Sequence, residues 1–446
     1  MGEIMLDQTE PIIAQSLKDL KNYVALASVS AKQQAQKQTA QFIKQLLEDR
    51  LDATVQLFND YQAPLVFAQL QPKQPSETTI LIYNHYDVQP EEPLDLWQSD
   101  PFILRQTAQQ LFGRGVADCK GDFISRLAAL QLYYQEHHDW PCNIKFLLEG
   151  EEEIASQHLG DYLAKYHDLL AADLILWESG AKNEFEQFTI EGGNKGVLCF
   201  ELTAVTADID LHSSYAAVVD SAAWRLVEAI KSLRSVDGQI KIPGFYDEVV
   251  PPSVTEELLV QENQVPNLTN KWNLQVPLLQ NKSINYNLAF APTINIEGLS
   301  GGWQGSGVKT VTPKQAQAKL EFRLVPDQDP QVIFDKLTTY LASQGFTDIK
   351  VQYLLGEKAY RWDLQSDMAQ KLITTAKQFY GDQQVAVLPS SAGTGPMHLL
   401  HYYTQADILS CGVGYSKSGP HAPNENIRLR DYLEFIEFFV DFLNKV

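Results

Sequence analysis

Cysteine and methionine are scarce in this 446-residue chain, with four of each. Cys119, Cys142, Cys199 and Cys411 are widely spaced and no two form a CxxC pair, so nothing indicates a disulfide framework and reduced thiols are expected. Long hydrophobic runs are also missing: no stretch reaches the roughly 18 uninterrupted apolar residues of a spanning helix, so no membrane association is expected. The opening residues MGEIMLDQTEP are acidic and have neither the basic start nor the apolar middle of a secretory signal, which leads to the expectation of a cytoplasmic protein. Positive charge is outnumbered. With 35 Lys and Arg against 56 Asp and Glu the formal net charge is −21, and no basic stripe is present that could neutralise phosphates, which argues against a nucleic-acid partner.

What is present is the composition of a globular protein, 44% hydrophobic and 20% charged, in a chain long enough to need two domains. Ile12, Ile13, Leu17, Leu20, Tyr23 and Val24 recur at helical spacing, as do Phe42, Ile43, Leu46 and Leu47. Strand-like runs then alternate with helical ones: ILIYNHYDV, a helix over 122–138, NIKFLLEG, a helix over 158–170, and DLILWES. That alternation predicts an α/β fold, a mixed and mostly parallel sheet flanked by helices. Past the Gly-rich EGGNKG (191–196) the order becomes strand (197–206), helix (221–235), two strands (about 292–297 and 315–325), helix (330–344) and strand (347–355). This βαββαβ order predicts a ferredoxin-like α+β domain over 196–357, inserted between the two parts, 1–195 and 358–446, of the first domain. The polar, Pro-containing stretch 244–291 has no readable role.

Three of the strand runs end in metal-type ligands: His85 and Asp87 in ILIYNHYD, Glu151, Glu152 and Glu153 in NIKFLLEGEEE, and Glu178 in ADLILWES. Open α/β sheets bind ligands at the carboxyl ends of their strands. GRGVADCKGD (113–122) adds Asp118 in a Gly-rich loop, and SGPHAPNE (418–425) adds His421. Two His and three carboxylates would give two zinc ions mixed nitrogen and oxygen coordination, and with a bridging hydroxide the charges balance. A further carboxylate must then take the proton of the bridging water.

These motifs resemble, in order and spacing over nearly the whole chain, the co-catalytic di-zinc metallopeptidases, a family that includes carnosinase-like dipeptidases, glutamate carboxypeptidases, aminoacylases and the ArgE/DapE deacylases. The resemblance is strongest to the carnosinase-like dipeptidases. It implies a zinc-exopeptidase fold with an inserted lid and dimerisation domain, two Zn²⁺ per subunit with Mn²⁺ or Co²⁺ as substitutes, and a homodimer. His85 and Glu178 would hold one metal, Glu153 and His421 the other, and Asp118 would bridge. Asp87 would accept a hydrogen bond from the ligand imidazole of His85. The family pattern Glu-Glu-x-Gly-Ser falls on Glu152–Ser156, with Ala155 in place of Gly, which makes Glu152 the general base; a slip to Glu151/Glu152 would exchange the roles. The family also carries a cis peptide after the bridging Asp, which would be Asp118–Cys119. LHSS (211–214) resembles a His-Ser-Gly motif whose His212 reaches across a dimer to stabilise the oxyanion, although Ser214 stands where Gly is usual. By the match of residues 302–330, Thr310 and Arg323 would contact substrate, Arg323 clamping its α-carboxylate, and Thr394 in SSAGTGPM would line the same end.

Singly, most of these residues would be ordinary: a His at a strand end, an acidic helix start, a surface Arg ion pair. It is the conjunction of five ordered motifs that carries weight. The implied activity is hydrolysis of dipeptides or other short peptides with a free carboxyl terminus by a metal-bridging hydroxide. N-acyl-amino-acid deacylation by the same chemistry is the alternative, and a silent peptide-binding or scaffold protein is a third reading against which the intact ligand set counts.

Overall fold

A computed structural model describes residues 6–279, 282–362 and 364–446. It divides into two compact units: the chain through Gly193 with Trp362–Pro389 and Pro396–Val446, and Asn194–Arg361 with Ser390–Gly395.

The first unit is built on strands β1 (Thr54–Phe58), β2 (Leu65–Leu70), β3 (Thr79–His85), β4 (Asn143–Glu149) and β5 (Leu174–Leu176), with a last strand Asp407–Leu409. Their order is β1-β2-β4-β3-β5-(407–409). β4, β3, β5 and 407–409 run parallel, and β1 and β2 are antiparallel additions on one edge. β3 and β4 are buried along most of their length, as near-continuous apolar runs in a parallel sheet covered on both faces must be. The register pairs His85 with Glu149 and Ile82 with Leu176, so β3, β4 and β5 release their chains at one edge.

Helices α1 (Pro11–Val24), α2 (Gln36–Leu51), α3 (Gly121–His137) and α4 (Leu159–Tyr166) belong to this unit, together with the closing helix Leu429–Leu443. Glu10 starts α1 by accepting the Ile12 and Ile13 N–H groups, with Pro11 supplying a fixed φ in the first turn. α3 is buried on every side from Gly121 to Leu130, so its hydrophobic stripe is widened to a whole surface. The closing helix brings Phe435, Phe438, Phe439 and Phe442 into the core, and truncating one such buried ring costs about 3–5 kcal/mol.

Two expected elements come out shorter. Only Leu174–Leu176 of ADLILWES pairs in the sheet, and the helix expected over 158–170 runs from Leu159 to Tyr166 before tightening into a short turn. β4 stops at Glu149, and Gly150 after it lies against the Tyr86 ring, where a Cβ would be 2.3 Å from Tyr86 Cε2.

In the other unit, strands β6 (Gly196–Val205), β7 (Thr293–Gly301), β8 (Gln315–Leu324) and β9 (Ile349–Glu357) form an antiparallel sheet of order β7-β8-β6-β9. Helices α5 (Ala222–Leu233) and α6 (Pro330–Ser343) cover one face, packing Leu226, Leu233, Leu337 and Leu341 onto Phe200, Leu202, Leu320 and Phe322. This is the ferredoxin-like arrangement. The stretch 244–291 contains short helices Val254–Glu262, Leu268–Lys271 and Ile284–Phe290 around a small cluster of Val260, Ala289 and Phe290; residues 280 and 281 lie outside the described ones.

Candidate active site

The common edge of β3, β4 and β5 gathers the acidic and imidazole side chains of the first unit. His85 ends β3, fully buried. Its Nε2 lies 3.0 Å from Asp118 Oδ1 and 3.9 Å from Glu178 Oε2. Asp118 arrives on a loop that turns at Gly115, where φ is +82° and a Cβ would lie 2.6 Å from Val88 Cγ1, so only glycine fits. The Asp118–Cys119 peptide is cis. Three residues after Asp118 the chain enters α3, whose positive N-terminal end favours the carboxylate.

Asp118 faces two imidazoles with its two oxygens. Oδ1 lies against His85, and Oδ2 is 3.0 Å from His421 Nε2. Burial alone would raise the Asp118 carboxyl, but His421 and His85 outweigh it and hold it well below the usual carboxylate range. His421 Nε2 is also 3.3 Å from Glu153 Oε2, and that oxygen accepts a hydrogen bond of 2.8 Å from Gln89. Burial, and then the Asp118 charge, pushes the Glu153 carboxyl up to about 7. Burial raises Glu178 well above its ordinary value, and its buried Oε2 has no hydrogen-bond partner. Burial and the neighbouring Glu178 charge raise Glu152 in the same way.

This donor set fits divalent metal. His85, Asp118 and Glu153 offer ligand atoms within 4.8 Å of one another, and so do His85, Cys119 and Glu178. Anionic groups outnumber the fixed cations around them, and the unpartnered Glu178 oxygen points at the His85 ring. Nitrogen and oxygen donors of this kind suit Zn²⁺.

The three neighbouring glutamates have separate surroundings. Glu151 is bonded to His158, and Glu153 to Gln89 and His421, so Glu152 is the one committed to neither. Asp87 lies under the run, its carboxylate accepting the Glu152 N–H at 3.2 Å and the Glu153 N–H at 3.1 Å. The His85 Nδ1 is nearer the Asp87 backbone carbonyl, at 3.0 Å, than its carboxylate, at 3.5 Å. Asp87 therefore orients the acidic loop as well as the His85 imidazole.

The remaining candidates are in the ferredoxin-like unit, in two groups. His212 and Thr310 meet at a short strand pair, where Leu211 faces Thr312, His212 faces Val311, and the Ser213 N–H bonds the Thr310 carbonyl. His212 Nδ1 accepts from the Ser214 N–H at 3.1 Å. Arg323 lies at the far end of β8: Val197 on β6 pairs with Arg323 on one side and Glu357 on the other, and Thr394 donates to Glu357 Oε2 at 3.2 Å. Arg323 is ion-paired with Glu321 at 3.2 Å. From Arg323 to Gln315 the strand runs eight residues, roughly 26 Å at about 3.3 Å each, before the chain reaches the His212 pair.

Sequence reasoning passed over several residues that build this site. Arg126, fully buried in α3, donates to the carbonyls of Tyr83, Trp177 and Cys411 and to Asn84 Oδ1. Glu149 accepts from Tyr83 and Ser156 on either side of the acidic loop. Glu425 is fully buried and bonded to the backbone around Asp118. Glu425 stands inside the HAPNE motif, and Arg114 inside GRG, which was the one available signal for them.

Comparison with known proteins identifies the family. Residues 81–445 match peptidase family M20/M25/M40. The chain is 27% identical to the mouse Beta-Ala-His dipeptidase over 397 residues, covering 85% of this chain and 79% of that protein. It is 26% identical to the Cys-Gly metallodipeptidase of Schizosaccharomyces pombe over 407 residues, covering 86% and 83%. Among solved structures it superposes on an M20 family metallo-carboxypeptidase from Sulfolobus solfataricus with a TM-score of 0.89 and 34% identity, covering 97% of this chain and 99% of that one. Human carnosine dipeptidase 1 shares the fold at a TM-score of 0.75 and 24% identity, covering 97% and 96%. No helix among the described residues is long and apolar enough to cross a membrane. A match across most of the chain, on a fold that collects imidazoles and carboxylates at one sheet edge, places this protein in the metal-dependent peptidase family M20/M25/M40.

Proposed function

We propose that the protein hydrolyses the amide bond of dipeptides and similarly short peptides that carry a free C-terminal carboxylate, using two zinc ions per subunit. The observation that supports this best is Asp118, which presents one carboxylate oxygen to each of two imidazoles, His85 and His421, as a bridging ligand does. Glu178 would complete the His85 position and Glu153 the His421 position. Bound there, the metals would polarise a carbonyl and make a water acidic near neutrality. Glu152 takes the proton of the water that attacks the scissile carbonyl carbon and hands it to the nitrogen of the leaving amine. Asp87 keeps Glu152 and Glu153 aimed through their backbone amides.

Arg323 pairs with the substrate α-carboxylate, exchanging its Glu321 partner for a bidentate one, with Thr310 and Thr394 as further substrate contacts. His212 steadies the oxyanion. The length of β8 between the Arg323 corner and the His212 pair supports a homodimer in which one copy supplies Arg323 and the other His212. The expected division 1–195, 196–357 and 358–446 would then separate the catalytic parts from a lid and dimerisation domain, a compact unit to which Ser390–Gly395, and with them Thr394, also belong. By their names, two relatives act on dipeptides and the most similar structure described above is a carboxypeptidase, which agrees with a substrate whose free carboxyl end is read.

The test is a substrate panel with the zinc-loaded protein: dipeptides, the same dipeptides amidated at the carboxyl end, and N-acetyl and N-succinyl amino acids. Dipeptides should be cleaved, with a loss of kcat/KM of about a hundredfold on amidation, the scale of a buried charge-assisted pair. Faster turnover of the N-acyl amino acids would replace the dipeptidase reading with a deacylase.

A further inference from the structure

We propose that the buried Arg114–Glu425 ion pair sets the affinity of the metal position served by His421 and affects the His85 position, which shares Asp118, much less. The inference rests on the two-metal reading above.

The two positions are built differently. His85 and Glu178 stand at or just past the ends of β3 and β5, and the backbone around them is pinned: Asn84 Nδ2 donates to the Glu178 carbonyl at 2.8 Å and Arg126 to the Trp177 and Cys411 carbonyls. His421 does not stand at a strand end. It sits in a loop, its side chain 55% exposed, at φ +63°, a left-handed backbone conformation that favours glycine or asparagine.

Arg114 and Glu425 hold that loop. Arg114 donates to the His421 carbonyl at 3.3 Å, the Ala422 carbonyl at 3.5 Å and the Pro90 carbonyl at 3.1 Å, and pairs with Glu425 Oε2 at 2.8 Å. The Glu425 carboxylate accepts backbone N–H groups from Gly115 at 2.9 Å, Ala117 at 2.8 Å and Asp118 at 3.1 Å. One ion pair thus ties the loop that carries His421 to the loop that carries Asp118. Both side chains are excluded from solvent, so the pair is geometrically fixed. All four groups at the Glu425 oxygens are donors. An amide in its place must turn an NH₂ toward two of them, which breaks half of the clasp at constant shape.

Arg114 and Glu425 are positioning residues, and the readout is the ratio of two affinities. Zinc binding to the wild-type protein, Glu425→Gln and Arg114→Lys is measured by chelator competition, alongside the Tm of each metal-free protein. In both variants the affinity that a His421→Ala control abolishes should fall tenfold or more, the usual range for removing an outer partner of a ligand, while the other position falls much less. Arg114→Lys keeps the charge and carries the same expectation if Glu425→Gln does not fold. Equal weakening of both positions, or a lower metal-free Tm with an unchanged ratio, overturns the inference and leaves the two-metal reading standing. A wild-type protein that binds a single zinc overturns both.

Discussion

Glu151 and His158 form a closed pair: the carboxylate accepts the His158 backbone N–H at 3.2 Å and lies 2.7 Å from its Nδ1, while Tyr61 stacks on the imidazole with centroids 4.0 Å apart. The pair draws Glu151 out of the cluster that Glu152 and Glu153 share with His421 and Glu178. Glu152→Gln should therefore keep its metal content and lose at least about a hundredfold in kcat, whereas Glu151→Gln should stay within about tenfold. Metal analysis and steady-state kinetics on the two variants check this. The reverse order would move the base one residue along.

Removal of metal should act on stability as well as on turnover. The cluster concentrates carboxylates whose mutual repulsion a cation relieves, so dialysis against a chelator should abolish hydrolysis and lower the Tm by several degrees. Adding zinc back should restore both. Binding at about a thousand times Kd is worth about 4 kcal/mol, enough to see by calorimetry. A metal-free protein with unchanged Tm and turnover would contradict the donor set described above.

Arg126 is placed to be costly to lose. Its guanidinium satisfies three backbone carbonyls and one side-chain oxygen beneath the strand ends, with no exposure to water. Arg126→Met should destabilise the metal-free protein by about 3–5 kcal/mol, since acceptors are left buried and unpaired, and denaturant unfolding measures it. A change under about 1 kcal/mol would mean that water reaches those carbonyls.

Lys195 gives a pH signature. It is buried, donates to the Asn287 and Ala291 carbonyls, and is brought down to about 8 by burial and the Arg323 charge. Between about pH 8 and the ordinary lysine value near 10.4 the unfolded chain holds this proton and the folded one has released it, so this residue makes stability rise with pH across that window. Below about 8 its contribution is flat, at its least favourable. In Lys195→Met that rise should be missing, and the difference in unfolding free energy between the two proteins, followed from pH 7 to 10, checks it.

The sheet edge was legible because its signal is local: a parallel strand is a short apolar run, and His85, the acidic triplet and Glu178 each follow one directly. The loop candidates were legible only through the order of motifs, since nothing about Asp118 or His421 alone marks them. Arg114, Arg126 and Glu425 were not legible. An arginine buried against carbonyls has the same letter as a solvated one, and GRG is a common loop sequence. Asp87 was placed beside His85 by the two-residue period of a strand. Its bonds to the Glu152 and Glu153 amides depend on how a loop 65 residues away folds back. The helices within 244–291 stayed hidden because they are short and bury little apolar surface.

Arg126 also bears on how the protein is made. Its guanidinium needs the carbonyls of both Trp177 and Cys411, and the strand Asp407–Leu409 completes the sheet beside β5. Everything between Asn194 and Arg361 is synthesised first. At ~5–20 residues per second, roughly ten to forty seconds pass between the emergence of Gly193 and that of Cys411. During that interval β5 is a bare sheet edge and the Arg126 charge is unmatched on one side. A chain that folds as it is made would carry this open edge through the interval, whereas the ferredoxin-like unit has all its strands, Gly196 to Glu357, before Cys411 arrives.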